Sequence, residues 1–586
     1  MREKKLQINS ESLQKSPEKL WAISIVSLSI ICGVAFFLNI GNIGLIDKTE
    51  ALYVEVARQM VITNNWISPH WNDNYFYSYP AGGYWFLALS FKLFGISEFS
   101  ARLPIALTAT AVVFMVFYTL RYFGYIENKP KNPLYLWLTA WIGGSIMALN
   151  PAWIAWGRVA VSDMLLSSAV SLAMLTFFLG YAQPDKPKTQ RIFYSIFPIL
   201  LSIAVLVKGP IGIILPVLGI GIFLLYVGKF WEIFWEIKTF RTIGIFLILT
   251  LPWYIAAIIM DGEIFVNEFL AVSNFKRFTS VVFNHPGPWY YYIIWGTVLM
   301  LPWIVYFPLA VMNLSCWRWQ KVRQSPRQSQ LGLYAFCWFI TTFVFFSAAA
   351  TKLQGYILPV TPAVVIIIAL FWGEKLRESS PKNEKLFLVS AIFNLIILLA
   401  LSIASAISVS LIGEDTSAPT FAENLGKSGI PIISAISWGL GVVTAIALLW
   451  KKPLWRWFWS SNLLAFFAFV TFVFPPLIPL LDIERQQSFR AISLQIKEEI
   501  KPQEEVFLIG FTRYSIVYYA DHSVNFVHGI EDFQDQIKQK NLQGKTILVV
   551  VESKYLEDSP LGKMDYDLVS QKQAYKLIRI ARDNIL

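Results

Sequence analysis

Apolar residues gather into long runs separated by short polar loops, near 20–46, 103–124, 134–150, 160–181, 192–208, 210–228, 241–260, 289–312, 331–350, 356–373, 386–412, 430–450 and 457–481. A helix needs roughly 20 apolar residues to cross the hydrocarbon core, so this pattern predicts about thirteen membrane helices. Residues 1–19 are polar and carry Arg2, Lys4, Lys5, Lys15 and Lys19, which suits a cytoplasmic tail. From 482 to 586 the pattern changes to that of soluble protein. Short apolar strands at 506–510, 524–527 and 546–552 alternate with helix-like stretches around 516–520 and 530–540, which predicts a small α/β domain. The expected architecture is therefore an α-helical polytopic membrane protein, its transmembrane part spanning 20–481, with an extracytoplasmic α/β domain that caps one face.

Composition agrees with the pattern. The chain is 56% hydrophobic, 16% aromatic and only 15% charged, with a mean hydropathy of +0.53, too apolar for a soluble globule of this size. The net charge of +11 sits in alternate short loops, at Lys129 and Lys131, at Lys186, Lys188 and Arg191, at Lys229 and Lys238, and onward to Lys451, Lys452 and Arg456. That spacing orients a membrane protein with those loops and the N-terminus inside, and the C-terminal domain outside, so no nucleic-acid partner is expected. Cys32 and Cys337 lie in apolar runs and Cys316 borders a basic loop, so no structural disulfide is expected. The first apolar run is longer than a signal h-region and has no small-residue cleavage site behind it, so it is expected to remain as a membrane helix.

Candidate chemistry concentrates in the first outer loop, 47–102. Asp47 and Glu50 stand three residues apart there. This spacing is that of a helix capping box, and it also suits a general base placed at the bilayer interface. The aromatics from Trp66 to Trp85 fit either an interfacial belt or platforms for sugar rings. Four further words fall on the same face. RVAVSDML brings Arg158 and Asp163, with Ser162 and Asp163 also readable as a helix N-cap. LVKGP brings Lys208, the loop NFKRFTSVVFNHPGPWYYY brings Lys276, Arg277 and His285, and TKLQGYILP brings Lys352 and Tyr356. Any one of these bases suits a snorkelling side chain. Together they run against the positive-inside bias and suit a phosphate whose charge grows as a sugar leaves.

The words IDKTEALYVEVARQM, NNWISPHWN, YPAGGYW, FGISEFSARLP, RVAVSDMLL, LVKGPIGIILP, LPWYI, NFKRF with HPGPWYYY, and TKLQGYILPVTPA, in this order, resemble the glycosyltransferase-C superfamily. The resemblance is to its bacterial branch of lipid A 4-amino-4-deoxy-L-arabinose transferases and relatives of protein O-mannosyltransferases. It implies an inverting transfer of a sugar from a polyprenyl-phosphate donor to a glycolipid or protein acceptor, at the outer face of a bacterial inner membrane. It implies Asp47, Glu50 and Asp163 as the acids of the site, with Asp47 as base. Arg58, Lys208, Lys276, Arg277, Lys352 and Tyr356 are the implied donor-phosphate contacts. No cofactor is fixed, although a divalent metal remains open with His285 as a candidate ligand. One word departs from the family. Where members commonly read an acid, Lys and Pro-Pro, this chain has Ser78, Tyr79, Pro80 and Ala81, so the phosphate clamp comes from elsewhere, the donor differs, or activity is altered.

The competing readings are an O-mannosyltransferase-like enzyme acting on protein and, in a different class, a transporter or flippase for a lipid-linked glycan. A repeat-built transporter would show two similar halves with broken helices at mid-membrane. No such repeat is visible in the sequence, and the polar residues gather at one surface.

Overall fold

A computed structural model of the protein describes residues 17–127, 129–269, 280–281, 285–314, 318–377, 384–413, 418, 420–539 and 545–585. Among these, nine helices are long and apolar enough to cross a membrane, or up to eleven if each of two bent pairs forms one span. The expected runs at 134–150 and 210–228 do form helices, Leu134–Ala148 and Ile211–Val227, but these are only 15 and 17 residues long. At 1.5 Å per residue each falls short of a full crossing.

The bundle is layered by burial. The helices within Ser162–Tyr181 and Gln354–Arg377 are 94% and 100% buried over their apolar windows and form its centre, whereas Thr239–Phe269, Glu384–Ala406 and Ile430–Leu449 are 17 to 28% buried. An apolar side chain at the periphery meets lipid at no cost, so only the central helices need packing on all sides. Small residues allow close approach at the centre. A Cβ at Gly373 would stand 2.4 Å from Thr139 Oγ1, and one at Gly82 would stand 2.6 Å from the Leu206 carbonyl oxygen. The second contact seats helix Gly82–Phe94 directly against Pro187–Lys208.

The first outer loop is itself structured. Helix Thr49–Thr63 leads to a short hairpin, β1 (His70–Trp71) with β2 (Asn74–Tyr75), and then to helix Gly82–Phe94. The next membrane helix begins at Glu98, where Ser97 and Ser100 cap each other reciprocally.

The C-terminal domain carries a five-stranded mixed sheet. In addition to β3 (Glu505–Ile509), β4 (Val524–Val527) and β5 (Thr546–Glu552), it contains β6 (Tyr566–Lys572) and β7 (Tyr575–Ala581). The strand order is β4-β3-β5-β7-β6, with β3 parallel to β4 and β5 and with β7 antiparallel to β5 and β6. The last two strands were not expected from sequence. β6 is weakly buried and carries a register irregularity at Leu568–Ser570, whereas β7 buries Leu577, Ile578 and Ile580 but interrupts its apolar run with Lys576 and Arg579. The domain is tied to the membrane part through helices Phe474–Asp482 and Ser488–Glu499, joined by a π-helical turn at Ile483–Gln487.

Candidate active site

A buried ion pair fixes the start of the first outer loop. Arg102 is fully buried and donates to both Glu50 oxygens, each at 2.7 Å, and to the carbonyls of Ile40, Ile43 and Gly44 at 2.9, 3.0 and 2.8 Å. All five guanidinium N–H groups therefore have acceptors. Glu50 also accepts from the Ile46 and Ala160 amides, both at 2.8 Å. The turn preceding Asp47 is pinned by this node.

The capping-box expectation fails for the same reason. Lys48, which makes no side-chain cap, holds the N-cap position of Thr49–Thr63, and Glu50 is committed to Arg102. Glu50, expected as a catalytic acid, is a structural counter-ion with both oxygens occupied. Asp47 turns the other way, accepting from the Ser515 amide at 2.8 Å and the Ser515 hydroxyl at 2.6 Å. Burial raises the Asp47 carboxyl above the usual aspartate value, while the Ser515 bonds and the Arg513 charge pull against that shift.

At Lys48, the residue after Asp47, opens a cavity of about 620 Å³, lined also by Thr49, Tyr53, Phe76 to Tyr79, Trp156, Asp163, Glu268, His285, Leu353 to Gly355 and Tyr514. Asp163 and Lys208 meet here with Nζ 2.5 Å from Oδ1. Asp163 stands in the first turn of Ser162–Tyr181 and Lys208 in the last turn of Pro187–Lys208, so each charge complements its helix end. The expected N-cap role of Ser162 and Asp163 is not observed, because Val161 occupies that position. The Lys208 ammonium lies 5.1 Å from the Tyr79 ring centre and 5.2 Å from that of Tyr356, a cation–π clamp on a buried charge. A Cβ on Gly355 would stand 3.0 Å from Asp163 Oδ1 and 2.8 Å from Trp156 Nε1, so only glycine leaves that carboxylate its room.

The expected phosphate contacts separate into three groups. Lys208 reaches the cavity edge through its bond to Asp163, with Tyr356 against it, and His285 lines the cavity itself. Arg58 and Lys352 are engaged elsewhere. Arg58 bonds Glu55 at 2.7 Å and also bonds Asp521 of the C-terminal domain, which makes it a bridge between domains. Lys352 donates to the carbonyls of Phe346 and Ser347 at 3.0 and 2.6 Å, closing the C-terminus of helix Leu331–Ala348; burial lowers its ammonium below the usual lysine value. Lys276 and Arg277 lie outside the described residues. Among the described residues no group of three or more His, Cys, Asp or Glu side chains could hold a metal, so His285 has no assembled ligand set there.

A second cavity, apolar and about 420 Å³, lies between helices Tyr291–Val298, Leu331–Ala348, Thr361–Arg377 and Glu384–Ala406. Tyr292 lines it, and its hydroxyl bonds the backbone of Leu353, donating to the carbonyl at 3.1 Å and accepting from the amide at 3.2 Å. Leu353 lines the polar cavity, so the two spaces share a wall.

Residues 46–261 match the dolichyl-phosphate-mannose-protein mannosyltransferase family, and residues 499–586 match the C-terminal domain of cyanobacterial RgtA-type glycosyltransferases. The undecaprenyl phosphate-alpha-4-amino-4-deoxy-L-arabinose arabinosyl transferase of Shewanella sediminis (strain HAW-EB3) is 30% identical over 357 residues, 59% of this chain and 60% of that protein. The match thus spans less than two thirds of that relative. The enzyme of the same name from Aeromonas salmonicida (strain A449) is 26% identical over 426 residues, 72% of this chain and 71% of that one. The crystal structure of ArnT from Cupriavidus metallidurans bound to undecaprenyl phosphate shares the fold, with a TM-score of 0.74 and 20% identity over 95% of this chain and 97% of that one. The chain is thus similar to these glycosyltransferases over 46–261 and 499–586, and it shares the fold of ArnT.

The departing word at 78–81 has a visible consequence. Tyr79 presents a ring to Lys208 where the usual lysine would repel it. Several residues at the site carried no signal in the sequence. Glu268 lines the cavity. Asp261 accepts from Ser68 at 2.5 Å and from the Tyr77 hydroxyl. Tyr514 and Ser515 come from the far end of the chain. Arg102 is marked by its place in the chain, since a charge at the edge of a membrane helix demands a buried partner.

Proposed function

We propose that the protein transfers a sugar from a polyprenyl-phosphate donor to a lipid acceptor at the outer face of the membrane, inverting the anomeric centre. The reading rests on one observation: a polar cavity with paired charges and an aromatic wall shares a side with an apolar cavity between membrane helices. An amphiphilic substrate suits such a pair, its phosphosugar in the first space and part of its hydrocarbon in the second. The relatives' names favour 4-amino-4-deoxy-L-arabinose carried on undecaprenyl phosphate as the donor.

The chemistry is a single displacement. An acceptor hydroxyl oxygen bonds to the anomeric carbon as the bond from that carbon to the phosphate oxygen breaks, and the hydroxyl proton passes to the Asp47 carboxylate. The bonding electrons leave with the polyprenyl phosphate, whose added charge is met by Lys48 at the cavity wall and Lys208 at its edge. Asp163 holds Lys208 in place. The N-terminus lies inside and the C-terminal domain outside, in the orientation that the loop charges favour.

The match of 46–261 to protein mannosyltransferases supports a second reading, in which the acceptor is a peptide hydroxyl. Mass spectrometry of glycolipids and glycoproteins from cells with and without the protein decides between them. The proposal expects a lipid-linked glycan to disappear, and loss of a glycoprotein modification alone overturns it.

A further inference from the structure

Among the described residues, the C-terminal domain reaches the site through Tyr514 and its neighbour Ser515. Tyr514 forms part of the cavity wall, and Ser515, only 4% exposed, spends both its amide and its hydroxyl on the two oxygens of Asp47. The domain is clasped to the first outer loop around this point. Tyr519 accepts from the Leu45 amide at 2.9 Å and donates to Glu98 at 2.8 Å. Asn72 exchanges two bonds with the backbone of Val524, at 2.9 and 2.8 Å, and Asp521 holds Arg58. Trp71 packs against Tyr514 and Phe526.

These contacts differ in kind. The bonds of Tyr519, Asn72 and Asp521 hold one surface against another and involve no group proposed for the chemistry. The Ser515 bonds instead fix the orientation of the Asp47 carboxylate, because the amide holds one oxygen and the hydroxyl holds the other. They also stabilise the charged form of a buried carboxylate.

We propose that Ser515 is a positioning residue that orients the Asp47 carboxylate and sets the pH at which it can accept a proton, so that the C-terminal domain completes the active site. This rests on the reading of Asp47 as the base. The charged and titratable groups facing Asp47 are Arg513 and Tyr575 from the C-terminal domain and the adjoining Lys48. Arg513 is held by the Arg485 carbonyl at 2.9 Å and lies over the Phe489 and Tyr575 rings. Its position is independent of the Ser515 hydroxyl, so removing that hydroxyl leaves the surrounding charges unchanged.

The test is pH-difference infrared spectroscopy on the full-length protein in undecaprenyl-phosphate-containing nanodiscs, following the Asp47 carboxyl band, identified by its loss in Asp47→Asn. Ser515→Ala removes one donor to a charged acceptor, and the midpoint of the band is expected to rise by about one pH unit. Ser515→Thr, which keeps the hydroxyl, is expected to restore it. The acidic limb of transfer activity should follow the band, moving in Ser515→Ala and returning in Ser515→Thr. Asp521→Asn loosens the same helix from the membrane part without touching Asp47 and should leave the midpoint in place. An unshifted midpoint in Ser515→Ala, or an equal shift in Asp521→Asn, overturns the proposal. A band that shifts as expected while Asp47→Asn still turns over leaves the Ser515 contact standing as the setter of the carboxyl's titration and removes Asp47 as the base, so the two failures are told apart.

Discussion

Arg102 and Glu50 form a closed unit, in which two 2.7 Å bonds join guanidinium and carboxylate and every other donor of Arg102 is taken by the backbone of the turn before Asp47. Removing one partner of a fully buried pair leaves the other uncompensated, at a cost of about 3–5 kcal/mol. Arg102→Leu should therefore lower the thermal midpoint and the yield of folded protein sharply. Glu50→Gln, which keeps two acceptor or donor positions, should be milder in stability. A fluorescence melt in detergent measures both, and a Glu50→Gln enzyme with normal stability but no turnover would contradict the structural role assigned here.

Asp47→Asn should lower the rate of undecaprenyl phosphate release from the sugar donor by roughly 10²–10⁴, the usual contribution of a positioned general base, while donor binding and thermal midpoint hold. Because burial raises the Asp47 carboxyl above the ordinary aspartate value, the wild-type rate should fall on acidification already above pH ~4. A base must be deprotonated to act, so the loss proceeds as pH drops through the raised value. A rate that stays flat down to pH ~4 would count against Asp47.

Lys208→Met leaves Asp163 unpaired and empties the space between Tyr79 and Tyr356. The cavity gives Asp163 partial access to water, so the stability cost should be on the order of 2 kcal/mol, below that of the Arg102 pair. The larger effect is expected on transfer, as a rise in the KM for the donor. Gly355→Ala tests the same carboxylate sterically, since its Cβ would press on Asp163 Oδ1 at 3.0 Å; turnover should drop about tenfold, in keeping with the sensitivity of positioned groups to small displacements.

The contact between the two domains should be acid-sensitive. Bonds from Lys497 and Arg58 hold the Asp521 carboxyl below the usual aspartate value, against the opposing effect of its partial burial. An aspartate with a depressed folded value contributes stability that is complete above the unfolded value of about 3.9 and is lost as pH falls through the lower, folded one. Hydrogen exchange at Arg58 and along helix Ser515–Ala520 should therefore accelerate below pH ~4, and Asp521→Asn should show that acceleration already at neutral pH.

The apolar runs made the membrane part legible, because twenty residues without charge have few other uses. Three of the five C-terminal strands were equally plain, since β3, β4 and β5 are short, largely apolar runs, β3 and β5 buried along most of their length. The cavity was legible only in part. Asp163, Lys208, His285 and Tyr356 stood in words with a shared face, and the structure brings them together. Arg58 and Lys352 stood in equally distinctive words, yet their charges are spent on Glu55 and Asp521 and on a helix end. Sequence position places a base on a face without saying which acceptor reaches it first. Ser515 shows the opposite limit, as a common residue in a soluble stretch whose meaning depends on a contact across 468 positions.

That separation constrains how the site assembles. Asp47 is synthesised early, while Ser515 is presented by a domain whose sheet is closed only when β7 pairs with β5. The membrane part is thus complete before its acid has a partner. A nascent or truncated chain would hold the apolar cavity with an unsteered carboxylate, and the transfer proposed above would begin only once the final strands had folded back onto the membrane surface.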